Sequence, residues 1–323
     1  MTGASKVISS FPPSTMKPAC CLLLLCLVLL APGAARAQFR VVGYLPAWRG
    51  PLDSTQLRYL THVAYAFVQP TASGELEPLP HPARLQQLVQ QAHRARVQVL
   101  LSIGGWHDGD HRAFDAIGAN PAARRAFVAA LLQVVADYQL DGLDLDWEHP
   151  DAATAAGYAV LVHQLALALH PQGKLLTAAV AGGTWAGPGI LPSVFADVDF
   201  LGIMAYDAPP PAHATYPDAV QTLAYWRGRG LPAGKAVLGV PFYGQPSQES
   251  FAALLARGAD PQADAFDGVG YNGLATIERK TQLALDQAGG LLIWELTQDA
   301  PGAHSLLAAI GRVLAQSGRS RPR

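Results

Sequence analysis

At 323 residues, half of them apolar and 15% charged, the chain is globular and long enough for one large core. A formal charge of −1 excludes the broad basic surface that a nucleic-acid partner needs. All three cysteines, Cys20, Cys21 and Cys26, lie near the N-terminus, so the remainder must hold together without disulfides.

Residues 1–37 read as a secretory leader. Lys17 supplies a basic n-region, residues 20–30 an apolar run, and Ala35-Arg36-Ala37 a small-residue cleavage site. The run is too short for a membrane span, and no cysteine follows it to take a lipid. Either Met1 or Met16 can serve as the start. Cleavage after Ala37 removes three basic residues (Lys6, Lys17, Arg36) and no acid, leaving 20 basic against 24 acidic side chains, a net charge of −4. The expectation is a secreted or periplasmic protein with no membrane association once the leader is gone.

From residue 38 onward, short apolar runs alternate with longer amphipathic stretches. Strand character falls at 40–45, 61–68, 97–105, 140–148, 174–182, 198–206, 235–243 and 289–296. Helical spacing falls at 81–95, 120–139, 154–170, 218–230, 274–290 and 304–316; the second opens with Asn120 as cap and Pro121 at the first position. The first and fifth connections are weak, with only a turn around 53–60 and a short stretch at 187–196. Eight strands separated by helices predict one α/β domain over 38–316, a single (β/α)8 TIM barrel, with a disordered tail at 317–323. An open doubly wound sheet is the alternative, but no glycine-rich phosphate loop follows the first strand.

The fourth strand carries the chemistry. In "LDGLDLDWEHP" (140–150), Asp144, Asp146 and Glu148 alternate with Leu143, Leu145 and Trp147. Strand alternation puts the three acids on one face, about 7 Å apart along the backbone, and the large apolar groups on the other. In a barrel the acid face points inward and then to the C-terminal rim. Close buried carboxylates must retain a proton among them, and a raised pKa on the outermost acid makes a general acid near neutral pH. Two other readings remain: a polar face on an exposed antiparallel strand, or a divalent cation held by the acids with His149. "HDGDH" (107–111) reads as a polar loop.

The run DGLDLDWE resembles the DGxDxDWE signature of glycoside hydrolase family 18, the chitinases and related endo-N-acetylglucosaminidases. "SIGG" (102–105) resembles the family's SxGG on the third strand, "MAYD" (204–207) its MxYD on the sixth, and Trp294 in "IWEL" its subsite tryptophan on the eighth. The resemblance spans residues 40–316. It implies a substrate-assisted retaining mechanism, an exception to the usual pair of enzyme carboxylates. Carried over by position, Glu148 protonates the glycosidic oxygen and later activates water. The substrate's 2-acetamido oxygen is the nucleophile. Asp146 binds the acetamide N–H, Asp144 shares a proton with Asp146, and Tyr206 positions the acetamide oxygen. Gly105, Met204 and Asp207 fall within the matching motifs and are assigned to substrate binding, with Met204 beneath the −1 sugar. One departure is His149, where many relatives carry tyrosine. Another is the stretch 244–288, too short for the α+β domain that many chitinases insert there, which implies an open, shallow cleft.

Tyr44, Trp48, Phe67, Trp106, Tyr243 and Trp294 sit at or just beyond predicted strand ends, where sugar rings can stack on them. Trp185 and Trp226 lack a motif and are left out. The resulting expectation is a monomeric hydrolase of N-acetylglucosamine-containing polysaccharides or oligosaccharides, with no cofactor and no metal. Cleavage of N-glycans or related amino-sugar polymers is the first alternative. A non-catalytic chitin-binding lectin is the second, disfavoured because a lectin has no use for a proton donor.

Overall fold

The structure, a computed structural model, describes residues 38–209 and 213–319. The leader expected over residues 1–37 and the last four residues of the tail lie outside the described residues. No helix among the described residues is long and apolar enough to cross a membrane.

Eight parallel strands close into a barrel: β1 (Arg40–Pro46), β2 (His62–Val68), β3 (Gln98–Gly105), β4 (Gly142–Trp147), β5 (Leu175–Ala181), β6 (Phe200–Met204), β7 (Ala236–Pro241) and β8 (Gly290–Trp294). Each pairs with its sequence neighbours, and β8 closes on β1 through Arg40 opposite Gly290. The predicted fold is therefore the observed one. Every strand falls inside its predicted run, shortened by up to two residues at either end except at the C-terminal end of β1.

Around the barrel run α1 (Pro82–Arg94), α2 (Arg112–Ala119), α3 (Pro121–Asp137), α4 (Ala155–Leu169), the single turn α5 (Val194–Asp197), α6 (Tyr216–Gly228), α7 (Phe251–Ala256), α8 (Leu274–Gln287) and α9 (Leu306–Gln316). The two weak connections hold only 3-10 turns (Ser54–Tyr59, Thr184–Gly189) and α5. Asn120 caps α3 by accepting from the amides of Ala122 and Ala123, which stops α2 and restarts the chain as a second helix. Thr215 and Asp218 form a reciprocal capping box that starts α6 two residues earlier than predicted. Residues 244–288 hold α7, a two-stranded ribbon (265–266 with 269–270) and α8, and no inserted domain.

The apolar side chains form two layers. Between strands and helices lies a continuous outer core, in which Trp147 stacks on Phe114 (5.1 Å, 10°) and meets Tyr158 edge-on. Inside the barrel the buried apolar set is small: Val42, Tyr44, Ala64, Ala66, Leu100, Phe200, Val237 and Leu292. That layer fills the lower barrel and leaves the C-terminal end of the interior to polar groups.

Candidate active site

The inward face of β4 is set by register. Ser102 on β3 and Thr177 on β5 lie directly beside Asp144, and Gly104 lies beside Asp146. Asp144 accepts three hydroxyl hydrogen bonds: Oδ2 from Tyr44 (2.5 Å) and Ser102 (2.8 Å), Oδ1 from Thr177 (2.6 Å). Burial raises its pKa, and the three donors offset part of that rise.

Asp146 is equally buried, yet no N–H or O–H donor of the described residues reaches it; its Oδ1 is enclosed and without a donor. Its carboxyl instead hydrogen-bonds that of Glu148. Burial first, then the charges of Glu148 and Asp144, push its pKa well above the ordinary carboxylate range. Glu148, at the tip of the strand, is pushed up to about 7, mainly by burial, with the contact to Asp146 opposing and the charge of Asp207 adding. Three donors make Asp144 the carboxylate best suited to stay ionised, whereas Asp146 has only another acid to bond.

Above the acids lies a cleft of about 740 Å³ lined by Tyr44, Trp48, Phe67, Trp106, Asp146, Glu148, Met204, Tyr206, Asp207, Tyr243 and Trp294, among others. Twelve of the thirteen residues singled out from the sequence thus meet at this cleft or at the ladder of acids below it. Phe67 stacks on Trp294 (5.7 Å, 17°), and Trp48 lies 6.1 Å from Phe67. Trp48 and Trp106 stand about 60% exposed at the rim. Tyr206 faces the cleft with its pKa held well above the usual phenol value by burial and the nearby acids, so its hydroxyl is a neutral donor. Asp207, held at φ 61°, accepts from Tyr243 (2.6 Å) and from Gln245 (2.7 Å).

One residue gains a role and one assignment changes. Tyr44 shows its ring to the cleft, and its buried hydroxyl bonds Asp144, so it also supports the acids from below. Gly105 does not line the cleft. At φ +84° a Cβ there would meet the Phe67 ring at 2.4 Å, so its absence seats Phe67.

Three contributors were missed, and a fourth, Ser102, was marked only as the first residue of the SIGG motif. Ser102 and Thr177 act through register beside Asp144. Gln245 lies beyond β7, with nothing in the sequence to mark it. Trp185, 65% exposed in the fifth connection, meets His149 edge-on at 4.9 Å. Its signal was its place in a connection leaving the C-terminal end of a barrel strand, where binding groups gather. Trp226 was rightly omitted: it is fully buried, with its indole N–H on the Ala181 carbonyl. A second lobe of about 430 Å³ adjoins the cleft at Glu148 and is lined by Gly182, Gly183, Thr184, Trp185, Asp218 and Tyr225, among others. No cluster of His, Cys, Asp and Glu among the described residues is arranged to hold a metal.

Residues 40–299 match the sequence profile of glycosyl hydrolases family 18. The chain belongs to that family. A family 18 chitinase from the chitin utilization locus of Flavobacterium johnsoniae superposes with a TM-score of 0.77 at 30% identity, over 87% of this chain and 96% of that one. A class V chitinase of Arabidopsis thaliana is 31% identical over 233 residues, 62% of this chain and 60% of its own length. A probable chitinase of Drosophila melanogaster is 27% identical over 252 residues, 65% of this chain but 11% of its own length. The family 18 chain thus spans between about a tenth and three fifths of the curated relatives named here.

Proposed function

We propose that this family 18 barrel hydrolyses β-1,4 bonds next to N-acetylglucosamine, in chitin or its oligomers, with the substrate's acetamide as nucleophile. The observation that carries the reading is the contrast between neighbouring acids: Asp144 saturated by three hydroxyls, Asp146 without an N–H or O–H donor among the described residues and part of the cleft's lining. An acetamide N–H is such a donor. With Tyr206 on the acetamide oxygen, the group would be held against the anomeric carbon, and charge developing on it would face the Asp146 carboxyl. Trp294 and Phe67 offer the apolar floor that a sugar ring needs. Glu148 lies where the two lobes join. The reacting sugar is therefore assigned to the lobe containing Asp146 and Trp294, and the leaving portion to the lobe beyond Glu148. With a pKa near 7, Glu148 is protonated often enough to give its proton to the leaving oxygen and acidic enough to take one from water afterwards.

The test compares chitin oligomers with oligomers deacetylated at the −1 sugar. Deacetylated substrate should be cleaved at least about 100-fold more slowly, and a thiazoline mimic of the cyclic intermediate should inhibit. Equal rates, or a covalent sugar trapped on Asp144, Asp146 or Asp207, would show an enzyme carboxylate to be the nucleophile. Running a high-mannose glycan alongside separates chitin from N-glycan substrates. Export, with the leader removed after Ala37, and a monomeric state complete the proposal; the N-terminal sequence and the sedimentation of the secreted protein test them.

A further inference from the structure

The packing of Trp48 does little to hold it in place. Its side chain is 60% exposed, and its ring contact with Phe67 is tilted by 34° at 6.1 Å. It stands on a turn at the end of β1, in which the Arg49 amide donates to the Pro46 carbonyl (3.0 Å). The carbonyls of the two residues that bracket it, Ala47 and Arg49, both accept from one nitrogen, Nη1 of Arg84, at 2.6 Å in the case of Ala47. Arg84 belongs to α1, outside the barrel, and is not part of the cleft's lining. Resting on the reading of the cleft as a site for an N-acetylglucosamine chain, we propose that Arg84 is a positioning residue for Trp48, fixing the turn so that the indole meets the third sugar from the cleaved bond.

The guanidinium is itself well placed. Tyr65 on β2 donates its hydroxyl to the carbonyls of Pro80 (3.0 Å) and His81 (3.4 Å), and Pro82 opens the helix at its first position, so the start of α1 is pinned to the barrel. Arg84 lies in the first turn, where the helix dipole disfavours a positive charge. The helix gains nothing from a cation there; the turn gains two charge-assisted donors on a planar group that loses little freedom in making them. The side chain of Arg49 comes within 3.4 Å of the Glu295 carboxylate, but it is nearly half exposed, so that pair is screened and adds little. Trp294, Phe67 and Trp48 form a row with ring-to-ring steps of 5.7 and 6.1 Å, each close to the length of one sugar in a β-1,4 chain. With Trp294 at the reacting sugar, Trp48 falls at the third. Without Arg84 the turn must be ordered by the ligand, and that cost falls only on chains long enough to reach it.

Two variants test the tie. Arg84→Ala removes both donors; Arg84→Lys puts three hydrogens on one nitrogen, which can serve two carbonyls as Nη1 does. The substrates are the 4-nitrophenyl glycosides of chitobiose and chitotriose, whose nitrophenyl group fills the leaving side, so that only the second reaches Trp48. Arg84→Ala should raise KM for the trioside about fivefold, the scale of one loosened aromatic contact, with kcat within about twofold and the bioside little changed. Arg84→Lys should recover most of the loss, and Arg84→Ala should add nothing in a Trp48→Ala background. An equal effect on the bioside, or an effect that persists without Trp48, overturns the proposal. A readout independent of turnover is the ¹H–¹⁵N NOE of the Trp48 indole, identified among the six tryptophans by its loss in Trp48→Phe. It should fall in Arg84→Ala and return in Arg84→Lys; an unchanged NOE in Arg84→Ala overturns the proposal as well. If neither glycoside is cleaved, the functional reading fails while the NOE still decides whether Arg84 holds the ring.

Discussion

Replacing Glu148 by Gln should make the protein more stable, and by an amount that grows with pH. In the folded protein the Glu148 carboxyl titrates at about 7 instead of its ordinary 4.5, chiefly because it is buried. A folded-state pKa above the unfolded one means that the native state binds the proton more tightly. The stabilisation is complete below about pH 4.5 and is lost as pH rises through 7. A shift of that size corresponds to about 3 kcal/mol. Gln is nearly isosteric, cannot ionise, and removes the charge that raises Asp146, so it avoids the loss. Between pH 4.5 and pH 8 the variant should gain about 3 kcal/mol on the wild type, roughly 5–10 °C in Tm for a domain of this size. The assay is thermal unfolding of both proteins in matched buffers across that range, with urea titrations at the two ends. A stability difference that stays flat with pH would refute the reasoning, because it would mean that Glu148 ionises in the folded protein as easily as in water. The same variant should lose at least about 100-fold in turnover.

Tyr44→Phe removes one of three donors from Asp144. That carboxyl should titrate higher still, so the variant should lose about 1–3 kcal/mol and lose more of it at pH 8 than at pH 5, read by urea unfolding. Trp185→Ala should raise KM several-fold on chitin oligomers while leaving Tm within about 2 °C, since the side chain is mostly exposed. Trp226→Ala should do the reverse, costing about 3–5 kcal/mol in unfolding experiments with KM little changed. Gly105→Ala places a Cβ against the Phe67 ring at a positive φ; a lower Tm and a raised KM should appear together.

The barrel was readable because each strand is a short apolar run bracketed by helical periodicity, and eight of them close in only a few ways. What escaped the sequence was local. The helix α2 covers only 112–119, too short a window to show a period against its loop, yet it supplies Phe114, on which Trp147 stacks. The start of α6 was legible in "TYPD", where threonine and aspartate stand three apart. At the site, residues on β4 could be read because one strand carries all three acids. Those acting across strands could not, except where a motif marked one, as SIGG marked Ser102. Ser102 and Thr177 matter because they sit level with Asp144, and level is a property of pairing. Tyr44 stood out as an aromatic near a strand end; that its hydroxyl also bonds Asp144 depends on how the barrel closes and could not be read from one strand.

The three hydroxyls on Asp144 come from β1, β3 and β5, so one carboxylate is tied to three other staves of the barrel. Glu148, by contrast, leans on Asp146 of its own strand. The inner acid is thus part of the frame and the outer one a removable fitting. If Glu148 is the proton donor, as proposed, a single change at the strand tip would remove the chemistry and leave the groove intact. Any change to Asp144 must be answered on three strands at once. On that reading the route from hydrolase to carbohydrate receptor would be one step long on this scaffold, and the way to a different acid ladder many.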